Sequence, residues 1–469
     1  MKSENEKSLS IANPHPDGLN ALQKAGLTLS FIGLLILGLA FLGVNLNSTL
    51  FLSTALLSIT AGVIMYSVGL YGNLPAGIKN NGVWFSSLTN KGVFGWGVGV
   101  ILTGFYILLY WFPSYLGLGV DGANNEGIIA LFDPLSQFLK GQAASQWFLY
   151  GTLYTLFIVV FGFKFILKYR HNRYQILRTI VVMIAQFFLA YLIPEILEGL
   201  NSDQAYFAKD IKYFWPLNYY FFESWHIDNM TAGGTLGMVY LVWGIFGFLF
   251  LTPIITYFVG KRWYCSWICG CGGLAETAGD PFRQLSSKKV SAWKFERILI
   301  HAIMIFIFIV TAVVLYGYFA NTGKVFGLSI YTYFSKPYGF LIGAMFSGVI
   351  GVGFYPMLGN RVWCRFGCPM AGYMGIIQRF KSRFRITTNG GQCISCGNCS
   401  TYCEQGIDVR WYAQRGQNIV RASCVGCGIC SAVCPRGVLK LENGPEEGRV
   451  NDNPILLGHK NAILNKEVV

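Results

Sequence analysis

Thirteen cysteines stand in this chain of 469 residues, and eight of them fall into two runs of one spacing. Cys393, Cys396, Cys399 and Cys403 follow C-x2-C-x2-C-x3-C, and Cys424, Cys427, Cys430 and Cys434 repeat it, with Pro435 after the last. Three thiolates two residues apart let a tight loop wrap one face of an iron–sulfur cubane, and the fourth ligand must arrive from elsewhere. In two-cluster ferredoxins it comes from the other run. The spacing therefore assigns Cys393, Cys396, Cys399 and Cys434 to one 4Fe-4S cluster and Cys424, Cys427, Cys430 and Cys403 to a second. Zinc also takes C-x2-C pairs, but it does not call for a third cysteine in series and a fourth at x3, twice over. Gly397, Gly426 and Gly428 suit loops that need positive φ and leave backbone N–H groups free for cluster sulfurs. Glu404 stands where a proline usually follows the fourth cysteine, and a carboxylate pointing inward there lowers the potential of the nearby cluster.

The remaining cysteines form a second group. Cys265, Cys269 and Cys271 lie in WYCSWICGCGG, and Cys364 and Cys368 lie in RVWCRFGCPMAG, each just past an apolar block. Both segments are expected at the cytoplasmic face of a membrane. Each places two cysteines four apart, which on a helix puts both sulfurs on one side. Two such pairs at one depth converge on a site of Cys265, Cys269, Cys364 and Cys368 that would hold a third metal centre, bind copper, or cycle between dithiol and disulfide. Against this stands the plain alternative that buried cysteines fill space.

The elements that position these residues are apolar. The chain is 53% apolar, 16% aromatic and only 12% charged, about half the roughly 25% charge of a soluble domain. Apolar blocks occur at 27–44, 50–70, 94–112, 147–167, 176–197, 234–259, 297–319 and 338–358, each near the ~20 residues that cross a bilayer. The pattern predicts an all-α polytopic membrane domain of about eight transmembrane helices followed by a small α+β two-cluster ferredoxin-like domain. The segments are 1–24, a polar start without a cleavable leader; 25–175, additional N-terminal spans; 176–386, a core with the two C-x3-C loops; 387–442, the ferredoxin-like domain; and 443–469, a polar tail.

A net charge of +14 would suit nucleic acid, but the basic residues sit between apolar blocks, so they are read as topology and nucleic acid is excluded as a partner. With the N-terminus inside, Lys79, Lys91, Lys168, Arg170, Arg173, Lys261, Arg262, Arg283, Lys288, Lys289 and Lys294 fall in inner loops, and only Lys140, Lys209, Lys212, Lys324 and Lys336 in outer ones. The ferredoxin domain is thus expected in the reducing cytoplasm, with the chain multi-pass in the plasma (inner) membrane. Arg361, Arg365, Arg379, Lys381, Arg383 and Arg385 form a basic run expected at anionic headgroups.

Other chemistry is thinner. The five histidines, His15, His171, His226, His301 and His459, sit in different loops or depths, which argues against haem. The stretch MTAGGTLG does not match a covalent flavin pattern and reads as a helix entry. Glu195 lies after Pro194 inside an apolar span and is a candidate proton acceptor for a quinol. Glu198, Glu223 and His226 are candidates to join it, and His301 is a second catalytic candidate, near the start of the seventh block. No internal repeat of spans is evident and intramembrane charges are few, which disfavours a transporter.

Two C-x3-C loops at the ends of membrane helices, followed by a double cluster run, resemble the membrane polyferredoxins of the NapH, NosR and CcoG type, over roughly residues 176–442. Their loops read close to W-C-x-x-x-C-P, which Trp363, Cys364, Cys368 and Pro369 match, whereas the first loop has Gly270 for proline and adds Cys271. The NapH-like core is nearest, as no flavin-bearing domain precedes the spans. The resemblance implies a membrane-anchored electron-transfer protein that passes electrons between the quinol pool, or a membrane partner, and two cytoplasmic 4Fe-4S clusters; a quinol-oxidising electron-transfer subunit of a larger oxidoreductase is one form this would take. The alternative, on the CcoG side, is a copper-reducing or copper-handling maturation factor for a respiratory oxidase. Lipid bilayer, a redox partner protein and a quinol are the partners it implies.

Overall fold

The computed structural model describes residues 18–72, 93–119, 123–212, 215–380, 382–389 and 392–443, with a small hairpin of Ile455–Leu456 and Ile463–Leu464. His15, Lys79, Lys91, Lys381, His459 and nearly all of 444–469 lie outside these residues.

Apolar blocks become helices because hydrocarbon offers no partner to a backbone N–H or C=O, so each must be satisfied within its own segment. In chain order the helices that build the frame are α1 (Ala21–Phe41), α2 (Thr49–Tyr71), α3 (Val93–Trp111), α4 (Gly127–Lys140), α5 (Gln146–Lys168), α6 (Arg173–Leu200), α7 (Gly234–Phe258), α8 (Gly270–Glu276), α9 (Val290–Phe319) and α10 (Pro369–Phe380). Among the described residues six of them, α1, α2, α5, α6, α7 and α9, are long and apolar enough to cross a membrane, and α3 is a shorter apolar helix. The eighth expected span is not one helix. Residues 331–349 are helical, 350–354 turn, and a short helix Tyr355–Leu358 follows. Gly351 and Gly353 lie in that turn, where a Cβ on Gly351 would come within 2.6 Å of Ser347 O.

Helix α4 was not expected. It is amphipathic, buries Ile128, Ile129, Leu131 and Phe132, and packs across α1, α2, α5 and the C-terminal part of α6. Asp133 hid it from a hydropathy reading; its Oδ1 accepts from Asn125 Nδ2 and from the Ala144 N–H, each at 2.7 Å.

Four prolines, Pro194, Pro253, Pro337 and Pro369, each follow a widened π-helical stretch, at Ala185–Leu192, Gly247–Leu251, Tyr331–Ser335 and Trp363–Gly367. Proline cannot donate to the carbonyl one turn back and its ring pushes that carbonyl away, so the preceding turn takes an extra residue.

The two cysteine loops do not stay at the helix ends. After α7 the chain folds back among the helices, so that a Cβ on Gly270 would lie 2.6 Å from Gln186 Oε1 and 3.1 Å from Tyr154. Gln186 is thirteen residues, roughly 20 Å of rise, from the start of α6. From there α8 runs back along α5 and α6: Gly273 packs on Val182 and Ile158, Glu276 meets Arg178, and Asp280 meets Lys168. The second loop does the same after residues 331–349, and α10 returns along α9 with Gly372 against Met304 and Ile300. Such re-entrant backbone is tolerated at membrane depth only where protein covers it.

The C-terminal unit is tied together by an antiparallel pair, β1 (Phe384–Thr388) and β2 (Leu439–Asn443), with Ile386 opposite Leu441. Its first and last segments thus close one small core around the cysteine runs.

Helices α1 and α2 pack through glycines. A Cβ on Gly26 would lie 2.6 Å from Gly62 O, whereas Gly38 meets nothing within 4 Å. Gly26→Leu is expected to cost about 1–3 kcal/mol of stability by overpacking and to lower the thermal midpoint in detergent, while Gly38→Leu leaves it unchanged; equal effects would show that the two helices are not in this contact.

Candidate metal centres

The cysteine runs are built as near copies. Each loop passes through positive φ at equivalent places, Ser395 and Gly397 in the first and Gly426 and Gly428 in the second, and then enters a short helix, Asn398–Thr401 or Ile429–Ala432. The glycines are needed where the backbone is left-handed; Ser395 holds φ 57 without that freedom. One cavity is lined by Cys393, Cys396, Cys399 and Cys434, and another by Cys403, Cys424, Cys427 and Cys430. Each thus gathers three cysteines of one run and the last of the other. Burial pushes the Cys399 thiol up to about 12 and raises Cys403 as well, so without iron these are neutral thiols, and a metal must displace their protons to bind.

The donor sets fit cubanes better than zinc. A tetrahedral zinc with sulfur at about 2.3 Å holds its thiolates ~3.8 Å apart. Among the described residues the only set of three or more potential ligand atoms within 4.8 Å of one another is Glu276, Glu404 and Cys427, and both carboxylates are already engaged by arginines.

The other five cysteines come together inside the membrane domain. Cys265, Cys269, Cys364 and Cys368 are buried in one core, with Cys271 packed against it. The thiol of Cys265 neighbours that of Cys364, and the thiol of Cys269 neighbours that of Cys271. The paired cysteines do not share a helical face. Cys265 sits in the turn Trp263–Trp267 and Cys364 in a π turn, while Cys269 and Cys368 are extended and stand immediately before α8 and α10. Pro369 takes the first helical position, where a missing N–H costs nothing. Gly270 takes that position in the first loop, beside Gln186, whose Oε1 accepts from Lys212 Nζ at 3.0 Å. Lys212, read as an outer-loop charge, is buried here instead, and Tyr264 Oη donates to its carbonyl at 2.6 Å.

A buried polar junction joins this core to the C-terminal unit. Arg361 Nη1 lies 3.7 Å from Cys364 Sγ and donates to Cys265 O at 3.1 Å, while its Nη2 reaches Glu276 at 2.6 Å and Glu404 at 2.9 Å. Glu404, fully buried next to Cys403, also pairs with Arg283 at 2.9 Å. Glu276 further pairs with Arg178, and Asp280 with Lys168 at 2.5 Å and Arg283 at 3.1 Å. Arg361 and Arg365, assigned above to the headgroup run, are therefore inside the protein, Arg365 holding Glu296 at 2.8 Å. Spacing could have hinted at Arg361, three residues before Cys364; nothing in the sequence paired it with Glu404. Tyr174 Oη to Gly426 O at 2.9 Å, Gln175 Nε2 to Cys427 O at 2.7 Å and Lys261 Nζ to Ile419 O at 2.9 Å complete the seam.

The remaining candidates stand apart. Glu195 is paired with Lys140 at 2.8 Å and Glu198 with Lys209 at 2.5 Å. His226 is buried, its Nε2 accepting from the Ala208 N–H at 3.2 Å and its Nδ1 3.1 Å from Phe221 O. His301 is exposed on α9, away from the face that Ile300, Ile303 and Met304 bury.

Clustered cysteines carried by a helical bundle of membrane-spanning length are what an iron–sulfur protein of the membrane requires. Comparison with known families agrees: a 4Fe-4S binding domain matches residues 241–291 and again 339–387, and a further 4Fe-4S binding domain matches 418–440. The double match overturns the expectation of no internal repeat, since a helix, a cysteine loop and a returning helix occur twice. One relative is the "Putative electron transport protein YccM" of Escherichia coli (strain K12), 25% identical over 185 residues that cover 34% of this chain and 46% of that protein. The match thus spans less than half of the relative. No solved structure matches.

Burial opposes ionisation of Glu404, but Arg283 and Arg361 outweigh it and hold the carboxyl down to about 2. A depressed carboxyl stabilises above its unfolded pKa of about 4.3 and stops doing so as pH falls through its folded value. The junction is therefore expected to be flat in stability from pH 7 to 5 and to weaken from about pH 4 toward 2. Glu404→Ala, which strands two buried arginines, should cost about 3–5 kcal/mol, read by thermal unfolding at pH 7; a loss below 1 kcal/mol would mean that the junction is open to water.

Proposed function

We propose that the chain conducts electrons through its membrane domain into the C-terminal unit, with Cys265, Cys269, Cys364 and Cys368 holding a third redox centre in series with the site of Cys403, Cys424, Cys427 and Cys430. The observation that carries this reading is Arg361, which contacts Cys364 Sγ and, through Glu404, the neighbour of Cys403. A 4Fe-4S cluster in each site supplies one-electron storage. The chain supplies the rest: Arg361 donates to a thiol sulfur, which favours its thiolate, and the re-entrant loops keep water from the buried thiols. Five buried cations, Lys164, Lys168, Arg178, Arg283 and Arg361, face three carboxylates, Glu276, Asp280 and Glu404, and this excess of positive charge suits anionic clusters on either side.

The depth of the thiol core removes an obstacle to electron entry from the membrane. Electrons from a quinol or a membrane partner need not cross the whole bilayer if the first acceptor lies near mid-helix. Arg173, Lys289 and Lys294 remain exposed near the inner ends of α6 and α9 and support a cytoplasmic C-terminal unit in an inner membrane. The neighbouring thiols of Cys265 and Cys364 favour a second reading, two-coordinate copper or a dithiol–disulfide couple serving oxidase maturation.

Iron and acid-labile sulfide on anaerobically purified protein separate the two. Three cubanes give about twelve irons per chain, and Cys364→Ser with Cys368→Ser should lose about four while the C-terminal clusters keep their low-temperature EPR signals. About eight irons, with copper bound and lost in the same variant, would replace the third centre by the copper reading.

A further inference from the structure

The two cysteine cavities of the C-terminal unit differ in access. The one around Cys403, Cys424, Cys427 and Cys430 is closed by the membrane domain, through Tyr174, Gln175 and the junction at Glu404. The one around Cys393, Cys396, Cys399 and Cys434 opens to solvent at Cys396. Its rim carries exposed Arg410 and Arg436, and none of its lining residues is acidic. Arg410 lies on a short helix, Val409–Gln414; Arg415, just past its end, lies 3.9 Å over the Trp411 ring, and Gln414 Nε2 ties this helix to Ser395 Oγ at 2.7 Å. Asp408, the acid next to this helix, is taken up by Ser400 at 2.6 Å. Ile394 and Trp411 add exposed apolar surface, at 53% and 41% exposure.

We infer that this rim docks a one-electron carrier protein with an acidic face. The inference rests on the reading that Cys393, Cys396, Cys399 and Cys434 hold a cluster. Cations around a redox site concentrate anionic partners, and apolar side chains at the centre of the patch supply the desolvated contact. One electron is exchanged per encounter: the reduced cluster loses it, the oxidised carrier gains it, and no bond or proton moves. Because the other cavity faces the membrane domain, this rim is the place where the unit meets a partner outside the bilayer.

The test uses the full chain in phosphatidylcholine nanodiscs, reduced with dithionite freed of excess, and mixed with ferricyanide or with hexaammineruthenium(III). The wild-type protein should react with the anionic complex about tenfold faster, relative to the cationic one, than the charge-reversed Arg410→Glu with Arg436→Glu, and the preference should fade with salt. An acidic flavodoxin, as a protein probe, should show the same loss. Should the reversed pair fail to load iron, Arg410→Gln with Arg436→Gln carries the test, with a smaller shift in the same direction. An unchanged ratio in a variant that keeps its iron and EPR signals would overturn the docking surface while leaving the cluster reading intact. A fast reaction with the complexes that survives unchanged in the Cys396→Ser variant would instead sink the cluster reading. If adding phosphatidylglycerol to the discs abolishes the wild-type preference, the arginines belong to lipid headgroups and the docking surface is overturned.

Discussion

Arg361 and Glu404 meet with both side chains fully buried. Removing an ion from water costs several kcal/mol, and only close, well-formed pairing returns it. Here each carboxylate serves two arginines or an arginine and a lysine, with Glu276 between Arg178 and Arg361, Glu404 between Arg283 and Arg361, and Asp280 between Lys168 and Arg283. A displacement of any one element strands a buried charge. The C-terminal unit is therefore held in one pose against the bundle, which is what electron transfer over a fixed distance requires.

That junction exists because both cysteine loops fold back among the helices. Backbone that leaves a helix at membrane depth needs partners, and these come from other segments: Arg361 and Arg262 donate to the carbonyls of Cys265 and Cys364, Asn360 to Ala275 O, and Tyr264 covers the carbonyl of Lys212. Each loop is closed by a helix that begins at its second cysteine and runs back along the bundle. The first loop differs in having Gly270 at the helix start, where a Cβ would crowd the Gln186 amide that holds Lys212 beside Cys269. The glycine in place of proline is a local accommodation of a buried lysine.

Much of the cysteine chemistry was legible in the chain itself. The repeated spacing grouped eight cysteines before any fold was known, and Gly397, Gly426 and Gly428 do stand at positive φ. Long apolar blocks marked α1, α2, α5, α6, α7 and α9 correctly as helices, since hydropathy over twenty residues is a strong signal. The same averaging misread 338–358, where glycines break the helix, missed α4, where Asp133 and Pro134 interrupt the apolar run, and gave Lys212, Arg361 and Arg365 to solvent or headgroups.

Local spacing thus determined which residues could bind iron and which segments could enter a membrane, because ligand loops and helices are set by neighbours in the chain. Depth and pairing were decided only by the tertiary structure. Glu276 lies 85 positions from Arg361 and 98 from Arg178, and Asp280 lies 112 from Lys168. Whether such a charge faces water or an opposite charge depends on how distant segments pack, and no pattern within a window of sequence carries that information.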